Sequence, residues 1–252
     1  MIKKALALVL LGTLTPGCGS TGEKTPADGK KTLVVFAAAS LTESFRAIGN
    51  AFQTSHPGVS VKFNFGGSLA LAQQINQGAP ADVFAAADSA TMKRVTDAGG
   101  ASAPQTFVRN RLEIAVPKDN PGKVTSLKDL ANPKLKVVLC APQVPCGSAA
   151  VKALKALGLT VRPASQEQDV KAALTKVRLN EADAALVYRT DIKAAGGEVQ
   201  GIDFPEAAKA INDYPIAALA KAPQAALAKD FVQFVLSPQG SGTLTGAGFE
   251  KP

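Results

Sequence analysis

The sequence predicts an α/β fold built from open, mostly parallel sheets flanked by helices. Three observations predict it. From residue 31 onward, short β-branched runs alternate with segments whose apolar residues recur at helical spacing. Hydrophobic residues make up 46% of the 252, enough for a substantial core, and Gly/Pro punctuation falls between the runs. The length suits one large domain or two units of roughly 100 residues each.

The elements follow in order. Residues 32–37 (TLVVFA) form a short apolar run of the kind a buried parallel strand uses. Leu41, Phe45, Ile48 and Phe52 then mark one face of an amphipathic helix. Residues 59–65 (VSVKFNF) alternate as a strand does, and Leu71 and Ile75 mark a second helix. Residues 81–86 (ADVFAA) give a third strand and 91–98 a short helix. Residues 112–116 (LEIAV) are a strand closed by Pro117. Strands are expected at 136–139 and 184–188, with helices at 149–157 and 170–179. Residues 214–219 (YPIAAL) read as a strand and 225–236 as a helix. The order repeats as two α/β units, the second inserted into the first.

The N-terminus is a targeting signal. Lys3 and Lys4 precede an apolar stretch at 5–14 that is too short to span a bilayer, and small residues lead to Cys18. Residues 1–17 therefore read as a signal peptide. Leu14-Thr15-Pro16-Gly17-Cys18 resembles a bacterial lipobox, in which the Cys carries lipid; the other reading is a plain signal peptide cut elsewhere. Residues 18–30 are polar and Gly/Pro-rich, and read as a lipidated Cys with a flexible tether. That leaves Cys140 and Cys146, which either pair as a small disulfide loop or stay as two buried thiols. The net charge is +8, but the cations are scattered, Trp is absent and Tyr occurs twice, so no base-stacking platform is present and nucleic acid is not expected as a partner. The one His, His56, sits in a Ser-His-Pro-Gly turn, and no cluster has metal-ligand spacing.

Four helix starts share one design, a small polar residue or Gly/Pro turn just before the helix. Ser40 is placed as an N-cap, with Glu43 completing a capping box. Gly66-Gly67-Ser68 lets the backbone approach a neighbour closely. Pro145-Cys146-Gly147-Ser148 opens a third helix and Asp169-Val170 a fourth. Each alone is ordinary capping. Meeting at one point, their free N–H groups and positive dipole ends suit an anion.

The segments VVFAAASLTESF, FGGSLALAQQINQGAPADVFAAAD, VPCGSAAVKAL, DVKAAL and ALVYRTD resemble the periplasmic molybdate-binding proteins of ABC importers. The resemblance spans nearly all of the chain after residue 31. It implies a two-lobed type II periplasmic-binding-protein fold. Lobe I is residues 31–110 plus 218–252 and lobe II is 111–217, with crossings near 107–116 and 213–221 and the ligand cleft between. It implies an oxyanion held by the hydroxyls and N–H groups of Ser40 and Ser68, the backbone N–H of Cys146 and Val170, and the hydroxyl of Tyr188. The metal of molybdate or tungstate is thus held through its oxygens, without direct ligation, and no cofactor is expected. The partners implied are an importer permease and, through Cys18, the membrane; the chain is expected to be an extracytoplasmic monomer without enzymatic activity.

Other readings are a sulfate or general oxyanion receptor, a secreted hydrolase, and a ligand-sensing module. A single His in a turn and the lack of G-x-S-x-G weigh against the hydrolase. Asp82 and Asp88 are read as structural rather than as a catalytic pair. A secretion signal without a DNA-binding segment weighs against the sensor.

Overall fold

The computed structural model describes residues 31–252. The segments read as signal peptide (1–17) and as lipidated Cys18 with its tether (18–30) lie outside the described residues.

The first half of the chain alternates strand and helix as its periodicity requires. β1 (Lys31–Ala38) runs through a 3-10 turn (Ala39–Leu41) into α1 (Thr42–Ser55). β2 (Val59–Gly66), α2 (Ser68–Asn76), β3 (Val83–Ala85) and α3 (Ser89–Asp97) follow. β4 (Gln105–Asn110) passes through Arg111 directly into β5 (Leu112–Pro117). β6 (Val137–Cys140), α4 (Pro145–Lys155), β7 (Ser165–Glu167), α5 (Val170–Arg178), β8 (Ala184–Tyr188), α6 (Arg189–Ala194) and β9 (Val199–Ile202) build the second unit. β10 (Asn212–Ala218), α7 (Ala225–Leu236) and α8 (Pro238–Gly246) close the chain.

Two five-stranded sheets result, ordered β2-β1-β3-β10-β4 and β7-β6-β8-β5-β9. Each has a parallel trio followed by an antiparallel strand. In both sheets that antiparallel strand, β10 or β5, is the first one after the chain crosses over. This is the two-lobed α/β architecture expected from the resemblance. By pairing, the first sheet takes the chain back at Asn212, earlier than residue 218, because all of β10 bonds to β3 and β4.

The core explains which runs were legible. The α1 face of Phe45, Ile48 and Phe52 is fully buried, and Phe45 and Phe52 meet Phe231 of α7 with ring centroids at 6.3 and 5.2 Å. Each such ring contributes about 1.5–3 kcal/mol relative to exposure. β7, β9 and α8 escaped the sequence reading because SQE, VQGI and PQGSGTLTG carry little apolar period. Asp82 and Asp88 are structural. Asp82 accepts the N–H groups of Val34 and Gln224 at 2.7 Å each, and Asp88 caps α3 through Thr91 N–H at 2.8 Å.

Among the described residues, Glu113 is one of two buried carboxylates, with Asp191, whose raised pKa makes the fold pH-sensitive. Glu113 of β5 is 8% exposed, beside Gly201 of β9, where any Cβ would crowd its Oε2. Burial, then the neighbouring Asp203 carboxylate, pushes Glu113 from 4.5 up to about 7, against the pull of Arg189 and Arg111. The folded state therefore holds this proton more tightly than the unfolded chain. The stabilisation is fully present below about pH 4.5 and is lost as pH rises through about 7. Glu113→Gln is expected to flatten the fall in Tm between pH 5 and pH 8. Parallel Tm–pH curves for the two proteins would contradict this.

Candidate functional site

A small cavity opens between the sheets where strands end. Its walls are 38–40 after β1, 66–68 after β2, Ala87 beyond β3, 144–146 beyond β6, 168–170 after β7, and Tyr188 at the end of β8. Every wall segment follows the carboxyl end of a parallel strand, the place where open α/β sheets bind ligands. All five residues singled out from the sequence, Ser40, Ser68, Cys146, Val170 and Tyr188, line this one cavity.

The local reasons differ. Ser68 is the first residue of α2, with Gly67 as its cap. Pro145 at the start of α4 leaves Cys146 in the first turn, and a disulfide to Cys140 at the end of β6 ties that turn down, with Cα atoms 5.7 Å apart. Asp169 caps α5 by accepting Ala172 N–H at 2.9 Å, which leaves Val170 first in the helix. The first N–H groups of these helices have no intrahelical partner. Ser40 departs from its expected role. It lies inside the 3-10 turn, α1 has Leu41 as N-cap without a side-chain hydrogen bond, and no capping box with Glu43 forms. The cause is that turn, which places helical backbone before α1 and puts the Ser40 hydroxyl to other use.

That use is a hydrogen-bond chain that the sequence reading missed. Asn110 Nδ2 donates to Tyr214 Oη at 3.4 Å, and Tyr214 Oη lies 2.9 Å from Ser40 Oγ. Tyr214 Oη and Ser40 Oγ share this hydrogen bond, and when Tyr214 is its donor the Ser40 proton is left for the cavity. Ser68 is arranged likewise. Its Oγ accepts Ala87 N–H at 3.0 Å, while Asn212 Nδ2 holds the Ala87 carbonyl at 2.8 Å. Tyr188 is 1% exposed and its hydroxyl has no hydrogen-bond partner among the described residues. Burial, then the Tyr214 hydroxyl and the Asp88 carboxylate, pushes its pKa well above 10, so the proton stays on. The signal that could have found Tyr214 is its rarity, since the chain's two tyrosines meet here edge to face at 5.8 Å.

The arrangement offers protons and no cations. No Lys or Arg lines the cavity, and its one carboxylate, Asp169, is turned to its own helix. Space open to the centre of a water-sized sphere is about 20 Å³. A sphere of that volume has a radius of about 1.7 Å, one bond length from a central atom to oxygen, so one tetrahedral oxyanion fills it.

Fold and cavity together define a two-lobed receptor for a small solute. Bacterial extracellular solute-binding proteins match residues 33–250, and the chain belongs to that family. The molybdate-binding protein ModA of Mycobacterium tuberculosis is 44% identical over 246 residues, covering 97% of this chain and 93% of the relative. Among solved structures, the periplasmic molybdate-binding protein of Azotobacter vinelandii aligns with a TM-score of 0.77 at 21% identity, over 87% of this chain and 99% of its own. The sulfate-binding protein SubI of M. tuberculosis aligns with a TM-score of 0.75 at 19% identity, over 88% and 87%. At these identities both structures speak to the fold alone. Among the described residues no helix is long and apolar enough to cross a membrane.

Two glycines test the geometry. A Cβ on Gly147 would overlap the Ala141 carbonyl within the second lobe, whereas one on Gly67 would overlap the Gln168 carbonyl across the cleft. Gly67 has φ −60°, which suits alanine. Gly147→Ala is expected to lower Tm by about 4 °C or more, and Gly67→Ala to hold it within about 2 °C. Equal losses in thermal unfolding would contradict the assignment of Gly67 to the cleft.

Proposed function

We propose that this protein captures molybdate, and tungstate with it, outside the cytoplasm and delivers it to the permease of an ABC importer. Cys18 carries the lipid anchor after removal of 1–17, and 18–30 tethers the binding unit to the membrane. The ligand is held by the hydroxyls of Ser40, Ser68 and Tyr188 and by the backbone N–H groups of Cys146 and Val170. The chain acts as a monomer, without a cofactor. The two lobes close on the anion by a hinge at the two crossings.

One observation carries this reading: a small cavity where the hydroxyls of Ser40, Ser68 and Tyr188 meet the starts of the helices carrying Cys146 and Val170, with no cationic side chain in its wall. Burying a dianion is costly unless each oxygen is hydrogen-bonded. A charge-assisted bond contributes about 1.5–3 kcal/mol net, so five or more converging donors offset that cost. Phosphate near neutral pH keeps a proton, which would face a donor and find no acceptor. Molybdate, tungstate and sulfate carry none. The 44% identity to a molybdate-binding relative favours the first pair over sulfate.

Calorimetric titration of the purified protein with all four anions tests the reading. Tight binding of molybdate and tungstate, weak binding of sulfate and none of phosphate is expected. Sulfate binding more tightly than molybdate would make this a sulfate receptor, and no binding at all would end the proposal. Ser40→Ala with Ser68→Ala is expected to weaken molybdate binding by about a hundredfold or more, from two lost bonds. Full affinity in that double variant would refute the site.

A further inference from the structure

The donors of the cavity are uncharged, yet one ammonium lies just behind them and spans the cleft. Lys171 follows Val170 in the first turn of α5. Its Nζ is 2.9 Å from both carboxylate oxygens of Glu43, in the first turn of α1 three residues beyond Ser40. It is also 3.3 Å from Asp191 Oδ1, an ion-pair contact without hydrogen-bond alignment. Asp191 is fully buried in the first turn of α6, and its other oxygen accepts Tyr188 N–H at 3.3 Å. Burial pushes Asp191 up to about 6, against the pull of Lys171. Glu43 belongs to the chain that builds the first sheet, and Lys171 and Asp191 to the chain that builds the second. The ammonium thus ties together the turns that carry Ser40, Val170 and Tyr188. Arg111–Glu250, at 3.0 Å, also links the two units, but beside the crossing at Arg111. There it has little leverage on opening.

We propose that the Glu43–Lys171 pair is a latch that holds the lobes closed over the bound anion, making Glu43 and Lys171 positioning residues for binding. The inference rests on the anion-binding reading above. Its physical content is a choice between two effects of opposite sign. Glu43 and Asp191 carry two negative charges against one positive, so the trio as a whole repels a dianion. If the trio acted only through its field, removing the Glu43 charge would strengthen binding. If Glu43 acts as a latch, removing it frees the lobes to open, and binding weakens although a repulsive charge has gone. Release accelerates and association stays nearly constant, because the latch forms after the anion has entered.

Lys171→Met leaves Asp191 buried without its cation and risks misfolding. The test is therefore made on Glu43, whose side chain is 53% exposed. Stopped-flow and calorimetric measurements with molybdate would compare the wild type, Glu43→Gln and Glu43→Asp. The expected result is release up to about fivefold faster in both variants, the range for losing one partly exposed ion pair, with association unchanged. Glu43→Asp keeps the charge but falls short of Lys171, so a loss equal to that of Glu43→Gln is the signature of contact rather than field. Unchanged or tighter binding by Glu43→Gln would overturn the latch. Failure of the wild type to bind molybdate would instead overturn the reading on which it rests.

Discussion

The site depends on how the protein uses the oxygen lone pairs of its hydroxyls. A serine hydroxyl can donate or accept, and so offers no selectivity by itself. Here Ala87 N–H donates to the oxygen of Ser68, and Ser40 shares a hydrogen bond with Tyr214, itself held by Asn110. Ser68 thereby keeps its proton for the cavity, and Ser40 keeps its own when Tyr214 is the donor. Tyr188 adds a third, kept on by burial. Neutral donors fixed in this way can enclose a charged oxyanion without a counter-charge, and they penalise any solute that brings a proton of its own.

The topology supplies the convergence. Each sheet places the carboxyl ends of its parallel strands at the cleft, and the helices that follow begin there. Helix starts from both units therefore meet around one volume of about 20 Å³. Because Ser40 and Ser68 come from one unit and Cys146, Val170 and Tyr188 from the other, the full set exists only when the lobes are together. The close approach of Gly67 to the Gln168 carbonyl, and the ion pair between Glu43 and Lys171, lie on the two faces that must meet. Affinity in such a receptor is a property of closure as much as of contacts.

Much of this was legible in the sequence, for identifiable reasons. The strand-then-helix rhythm of β1 and α1 follows from TLVVFA and from Leu41, Phe45, Ile48 and Phe52, all local signals. The helix starts that carry Ser68, Cys146 and Val170 were legible because Gly, Pro and Asp punctuate them, and the family resemblance implied that these residues share one site. The support behind them was not. Ser40 and Tyr214 are 174 residues apart, and Asn110 and Tyr214 are 104 apart, so no local pattern joins them. Ser40 with Glu43 matched a capping box in spacing, but the 3-10 turn after β1 sends the hydroxyl to Tyr214 and the carboxylate to Lys171. Short polar strands such as β7 stayed hidden because they take their pairing from a neighbour rather than from apolar period.

The central claim is that uncharged donors, and they alone, hold a tetrahedral dianion in this cavity. A crystal structure with molybdate, its metal located by anomalous scattering, tests it most directly. The account predicts one metal peak inside the cavity. Its oxygens should lie about 2.6–3.2 Å from the hydroxyls of Ser40, Ser68 and Tyr188 and the backbone nitrogens of Cys146 and Val170, with no Lys or Arg in contact. A peak elsewhere, or an anion held by a lysine or arginine side chain, would contradict it.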